Sequence, residues 1–169
     1  MPSHSLPGFM RPVSLHLLQH NPAESEAAGS SCPLSQLIRA QSVASFVSTM
    51  ARMRGLRPIE YRTVKDCIDN MANTVDQLNQ SVQELSRADQ DFDWHVGNVE
   101  SWVGAALTFE NTCLDGFRNP TMDGNVKVAI TTRVTDCAQV TSNALVLVDR
   151  FASRHKAGAS SSEGTANLP

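Results

Sequence analysis

The sequence predicts an all-α chain folded as an up-down-up-down antiparallel four-helix bundle. Three observations carry that prediction. Val64, Ile68, Met71, Val75, Leu78, Val82 and Leu85 recur at alternating spacings of four and three, the mark of one buried helical face. Prolines fall at 2, 7, 12, 22, 33, 58, 120 and 169, leaving three long stretches without a helix breaker. The breaks between helical patterns, near 55–58, 88–93 and 118–121, are short, which makes consecutive helices antiparallel neighbours.

The first helix is expected over 34–53, with Leu37, Val43, Phe46, Val47 and Met50 as its apolar positions. Gly55 would cap it, and Arg52 and Arg54 would face the negative end of its dipole. The second begins at Pro58, whose missing N–H costs nothing in a first turn. The third runs from about 93 to 117, turning Val96, Val99, Val103, Ala106, Leu107, Cys113, Leu114 and Phe117 inward. The fourth follows Pro120 with Asp123 as N-cap. Its seam is Val126, Ile130, Val134, Cys137, Thr141, Ala144, Val148 and Phe151. It is expected to end near His155, where Arg150, Arg154 and Lys156 complement the dipole and form no binding patch. Ser142 and Asn143 interrupt the seam and read as local or inter-helix hydrogen bonders.

At 169 residues the chain is one domain's worth. Residues 1–33 mix Pro, His, Ser and Gly without a period, and 157–169 are small and polar. Both ends read as unordered, leaving 34–156 for the bundle. A net charge of -3 gives no electrostatic reason to expect nucleic acid. No apolar run approaches the ~18 residues that would span a membrane. An export signal is not apparent, since no Lys or Arg precedes Arg11 and Ser14 and His16 break the apolar run that follows.

Cys67 and Cys113 are equidistant from Gln90, inside the break between the second and third helices. In an antiparallel hairpin they stand at one height and can bond if their faces agree. Of the three pairings that four cysteines allow, hairpin geometry selects this one, giving a disulfide-linked hairpin. Closing a loop of that size stabilises by ~4 kcal/mol in the chain-entropy picture. Cys137 reads as a small buried thiol, and Cys32 lies about 8 Å from its height, so both are taken as free. His16 and His20 have the spacing of a helical metal pair but no third ligand in sequence. His95 is read as exposed or capping. No nucleophile motif, Gly-rich phosphate loop or Glu-x-x-His appears, so neither an enzyme nor a cofactor is expected. Two tripeptides fit the N-glycosylation pattern, Asn79-Gln80-Ser81 and the weaker Asn111-Thr112-Cys113, but both lie within expected helices and the second competes with the disulfide, which argues against occupancy of either.

Four runs resemble the plant pectin methylesterase inhibitor and invertase inhibitor family. They are Tyr61-Arg62-Thr63-Val64-Lys65-Asp66-Cys67, Leu78-Asn79-Gln80-Ser81-Val82-Gln83-Glu84-Leu85, residues 102–117 (WVGAALTFENTCLDGF) and Val140-Thr141-Ser142-Asn143-Ala144-Leu145. The resemblance covers roughly 34–154. It implies a non-catalytic four-helix bundle, bridged between the Asp-Cys and Thr-Cys-Leu-Asp-Gly-Phe motifs. It also implies a secreted protein of the plant cell wall, the apoplast. The second Cys pair and N-terminal hairpin usual in the family have no counterpart before Leu34. The invertase-inhibiting branch usually carries Pro-Lys-Phe between the last two helices, where this chain reads Arg118-Asn119-Pro120-Thr121-Met122-Asp123.

The resemblance therefore implies a proteinaceous inhibitor of pectin methylesterase, with its second, third and fourth helices lying across the substrate cleft. Acid invertase is the alternative target, and a non-inhibitory helical bundle the alternative class. By helical face alone, Asn73, Asp76 and Gln80 on the second helix are candidate contacts. Thr108, Glu110 and Asn111 are the candidates on the third.

Overall fold

Why the second and third helices approach so closely is written in a row of small residues. A computed structural model describes residues 32–87 and 91–163. Four helices make up the fold: α1 (Pro33–Met50), α2 (Pro58–Leu85), α3 (Phe92–Gly116) and α4 (Asn125–Glu163). Each packs on the next, and α1 closes the ring against α4. No strand occurs among the described residues. The expectation for 1–31 lies outside them.

The buried positions of α2 are Val64, Cys67, Met71, Thr74, Leu78 and Ser81. They form two rows at heptad spacing, one apolar (Val64, Met71, Leu78) and one small (Cys67, Thr74, Ser81). Three of the seven apolar positions read from the sequence, Val64, Met71 and Leu78, are thus fully buried. Ile68, Val75, Val82 and Leu85 are only partly buried and flank the core. The small row lets α3 approach until Cα atoms of the bonded Cys67 and Cys113 stand 4.5 Å apart. One stretch further along, Thr74 Oγ1 donates to the carbonyl of Ala106 at 3.4 Å. At the disulfide end, a Cβ on Gly116 would stand 3.2 Å from Thr63 Cγ2.

α1 starts as its proline dictates, the Cys32 carbonyl accepting from Gln36 N at 3.1 Å. It ends at Met50, three residues before the expected Met53, with Ala51 as C-cap. Gly55 is therefore no helix cap. It serves the following loop at φ +89°, where a side chain would be strained. α1 holds α4 through Gln36 Nε2, which donates to the Val140 carbonyl at 3.0 Å. The Arg133 guanidinium, 3.8 Å over the Phe46 ring, adds a cation–π contact.

At the α3–α4 connection Met122 is buried as an apolar plug. Asp123, expected as the N-cap of α4, instead meets Arg57 Nη2 at 2.6 Å. Gly124, at φ +96°, stands at the helix start, its carbonyl accepting from Val128 N at 3.3 Å. α4 continues to Glu163 rather than stopping near His155. No proline stands between 121 and 168, so nothing in the backbone chemistry forces an end there. Phe151, expected on the buried seam, is 44% exposed.

Cys67→Ala should lower the melting temperature by roughly 10 °C with little loss of helical circular dichroism. Leu78→Ala empties a fully buried site and should cost ~2–5 kcal/mol in denaturant unfolding.

Candidate partner-binding face

The register of the α2–α3 hairpin decides what each candidate can reach. Cys67 lies opposite Cys113 and Thr74 opposite Ala106. Asn73 is therefore close in height to Thr108, Asp76 and Gln80 lie toward the inter-helix turn, and Asn111 lies toward the disulfide end. Asn73, Asp76 and Gln80 are exposed and share the side of α2 opposite its buried rows. Thr108 and Asn111 are exposed on α3, with the Thr108 hydroxyl donating to the Gly104 carbonyl at 3.0 Å. All five are exposed along the length of the hairpin.

Glu110 does not belong with them. The expectation that it faces solvent is corrected by its complete burial. It continues the inward row of Val99, Val103, Ala106 and Cys113 at spacings of four and three. Only its charge made it read as a surface residue. Glu110 Oε1 accepts from Thr141 Oγ1 on α4 at 3.0 Å, and the buried Cys137 stands one turn before Thr141 on the same helix. Burial pushes the Glu110 carboxyl up to about 7 and the Cys137 thiol up as well. Both are thus favoured in their neutral forms, as a water-excluded site demands. Cys137 is a buried free thiol and Cys32 an exposed one.

The turn end of the hairpin carries a second polar cluster that sequence reasoning missed. Glu84 Oε1 accepts from Asn98 Nδ2 at 2.6 Å and meets His95 Nδ1 at 2.9 Å. These bonds, Asn98 first, hold the Glu84 carboxyl below its usual range. His95 is partly buried here, so it ties α3 to α2 rather than standing exposed or capping. The signal was present, because the register that aligns the two cysteines also brings Glu84 level with 95–98. Beyond it, Phe92 packs at 5.2 Å against Phe151 and at 4.0 Å against His155. Trp94 stands beside them, 69% exposed.

Among the described residues no three His, Cys, Asp or Glu side chains gather as a metal site. His16 and His20 lie outside the described residues. No described helix is long and apolar enough to cross a membrane. Ser142 is partly buried, and Asn143 Oδ1 accepts from Gln139 Nε2 at 3.3 Å within α4.

Comparison with known proteins places this geometry. Residues 16–147 match the family described as plant invertase/pectin methylesterase inhibitor, a span that begins earlier than the resemblance read from residue 34. Pectinesterase inhibitor 9 of Arabidopsis thaliana is 48% identical over 124 residues, 70% of this chain and 61% of the relative. The chain thus spans about three-fifths of that relative's length. The 21 kDa protein of Daucus carota is 37% identical over 143 residues, 82% of this chain and 72% of the relative. The crystal structure of a pectin methylesterase inhibitor from Arabidopsis thaliana superposes with a TM-score of 0.61. It is 17% identical and covers 79% of this chain and 80% of that one, which supports the helical fold.

The buried carboxyl makes a pH prediction. Burial raises Glu110 from 4.5 to about 7 in the folded chain. Its share of stability is therefore complete below the ordinary carboxylate range and is lost as pH rises through about 7. The loss is ~3 kcal/mol from that group. Glu110→Gln keeps the volume and removes the ionisation. Denaturant unfolding at pH 5 and pH 8 should show the variant losing ~3 kcal/mol less than the parent over that interval. Equal losses would contradict the assignment.

Proposed function

The chain belongs to the plant invertase/pectin methylesterase inhibitor family, and on that premise we propose that it is a steric, reversible inhibitor of a plant pectin methylesterase. The observation that carries this reading is the 48% identity to a relative named as a pectinesterase inhibitor. The fold supports it physically. A hairpin cross-linked at Cys67–Cys113 presents a rigid outer surface, so little ordering entropy is lost when a partner docks. The exposed polar strip of Asn73, Asp76 and Gln80 on α2, with Thr108 and Asn111 on α3, is the proposed contact region. Such a complex would bury ~1,200–2,000 Å² and draw most of its affinity from a few of these residues. Inhibition is by exclusion of the polymer from the cleft, with no chemistry in this chain, and its setting is the plant cell wall.

Acid invertase is the weaker target. The relatives compared above whose names give a target name pectinesterase or pectin methylesterase. The connection before α4 also lacks the Pro-Lys-Phe that the resemblance associates with invertase inhibition.

Purified, disulfide-intact protein should inhibit plant pectin methylesterases at 1:1 stoichiometry and micromolar concentration or below in mildly acidic buffer, leaving acid invertase unaffected. Failure against several such enzymes would favour a non-inhibitory bundle. The double variant Asp76→Ala, Gln80→Ala should weaken inhibition ~10-fold or more, as loss of a hot spot does. If the Asp76 carboxylate contributes, added salt should weaken the parent more than the variant.

A further inference from the structure

The end of the bundle at the α2–α3 turn carries the most exposed large apolar side chain among the described residues, Trp94 at 69%. Its exposure follows from its register. Trp94 lies two residues before Val96, the first inward position of α3, so it is carried to the opposite side of the helix. With Asp91, Phe92, Asp93 and His155 it lines an open cavity of about 570 Å³. Three of these side chains hold one another. Phe92 packs against Phe151 and His155, and His155 Nδ1 stands 3.5 Å from Asp93 Oδ1. Two groups are left uncommitted. One is the free face of the Trp94 indole. The other is the Asp91 carboxylate, which makes no capping hydrogen bond to α3 and pairs with no cation among the described residues. Arg87, close by in sequence, is taken by Glu84 at 3.8 Å, and Arg150, Arg154 and Lys156 do not line the cavity.

We propose that this cavity is a docking site for an arginine side chain on a partner protein, its guanidinium stacked on Trp94 and paired with Asp91. The charge of the lining selects the occupant. An anion would meet two carboxylates, Asp91 and Asp93, whereas a cation is attracted both to them and to the face of an indole, the best of the aromatic rings for that purpose. Arginine fits better than lysine. A planar guanidinium lies flat on a ring while its edge N–H groups donate to a carboxylate, and a compact ammonium cannot do both. The chain already holds such a contact within itself, with the Arg133 guanidinium 3.8 Å over the Phe46 ring. Residues flanking the arginine on the partner would meet Phe151, which is 44% exposed beside Phe92. Tryptophan and arginine are the residue types in which interfaces concentrate their affinity. The site shares no residue with the strip assigned above to the esterase, so either can fail without the other.

The test needs no esterase. The chain has two tryptophans, so Trp102→Phe leaves Trp94 as the sole indole reporter. Full-length, disulfide-bonded protein is titrated at low salt with hexa-arginine, hexa-lysine and hexa-glutamate peptides. Hexa-arginine should change the Trp94 fluorescence saturably, hexa-glutamate should not, and hexa-lysine should bind roughly tenfold more weakly. Calorimetry then compares the parent with two variants. Trp94→Ala removes an exposed ring, and Asp91→Asn keeps a residue type that tolerates the left-handed backbone there, φ 51°. Each should weaken hexa-arginine binding roughly tenfold while leaving helical circular dichroism as in the parent. Added salt should weaken binding to the parent more than to Asp91→Asn. Absence of a saturable response to hexa-arginine, equal binding of hexa-lysine, or an affinity unchanged by either substitution would overturn the assignment.

Discussion

The contact between α2 and α3 along Cys67, Thr74 and Ser81 is the constraint on which the rest of this structure depends. Small side chains in that row bring two backbones together until a covalent bond spans them, with Cα atoms 4.5 Å apart. The cross-link fixes the heights of the two helices relative to each other. That register then decides which pairs meet: Thr74 with the Ala106 carbonyl, and Glu84 with His95 and Asn98. A shift of one turn would break these contacts together. The hairpin is thus a unit with one arrangement, and its outward face inherits that rigidity.

The other half of the bundle is held by buried polar groups rather than a covalent bond. Glu110 on α3 reaches Thr141 on α4, and Gln36 on α1 reaches the Val140 carbonyl on α4. The two contacts fall at adjacent positions of α4 and draw α1 and α3 onto it at one height. A buried carboxyl is costly when charged and tolerable when neutral. This arrangement is therefore strongest at acidic pH, where the Glu110 carboxyl is neutral. Whether such groups add specificity as well as cost depends on the protein. Here they link three of the four helices.

The helix count, the antiparallel order and the disulfide were legible because each rests on a strong local signal: apolar spacing, proline position, and two cysteines equidistant from a break. What apolar spacing cannot show is a face made of small or polar residues. Thr74 and Ser81 are fully buried because α3 approaches closely, a tertiary fact that no local pattern encodes. Glu110 failed for the same reason in reverse. Its spacing placed it on the inward row, and its charge overruled that placement. Helix ends were least legible. Gly55 marks a loop rather than a cap, and Asp123 serves an ion pair with Arg57 while Gly124 stands immediately before α4. Of the candidate contacts, the fold supports five as accessible and removes one, while affinity for a partner is not a property of the isolated chain.

In the proposed complex, the outer face of the cross-linked hairpin is what the pectin methylesterase meets. Solvent footprinting of side chains by hydroxyl-radical labelling, with and without the esterase, tests it most directly. Protection is expected to concentrate on the exposed side chains of α2 and α3, while the exposed Leu34 and Ile38 of α1 label as in the free protein. Protection centred on α1, or none on α2 and α3 in a complex shown to be 1:1, would contradict it.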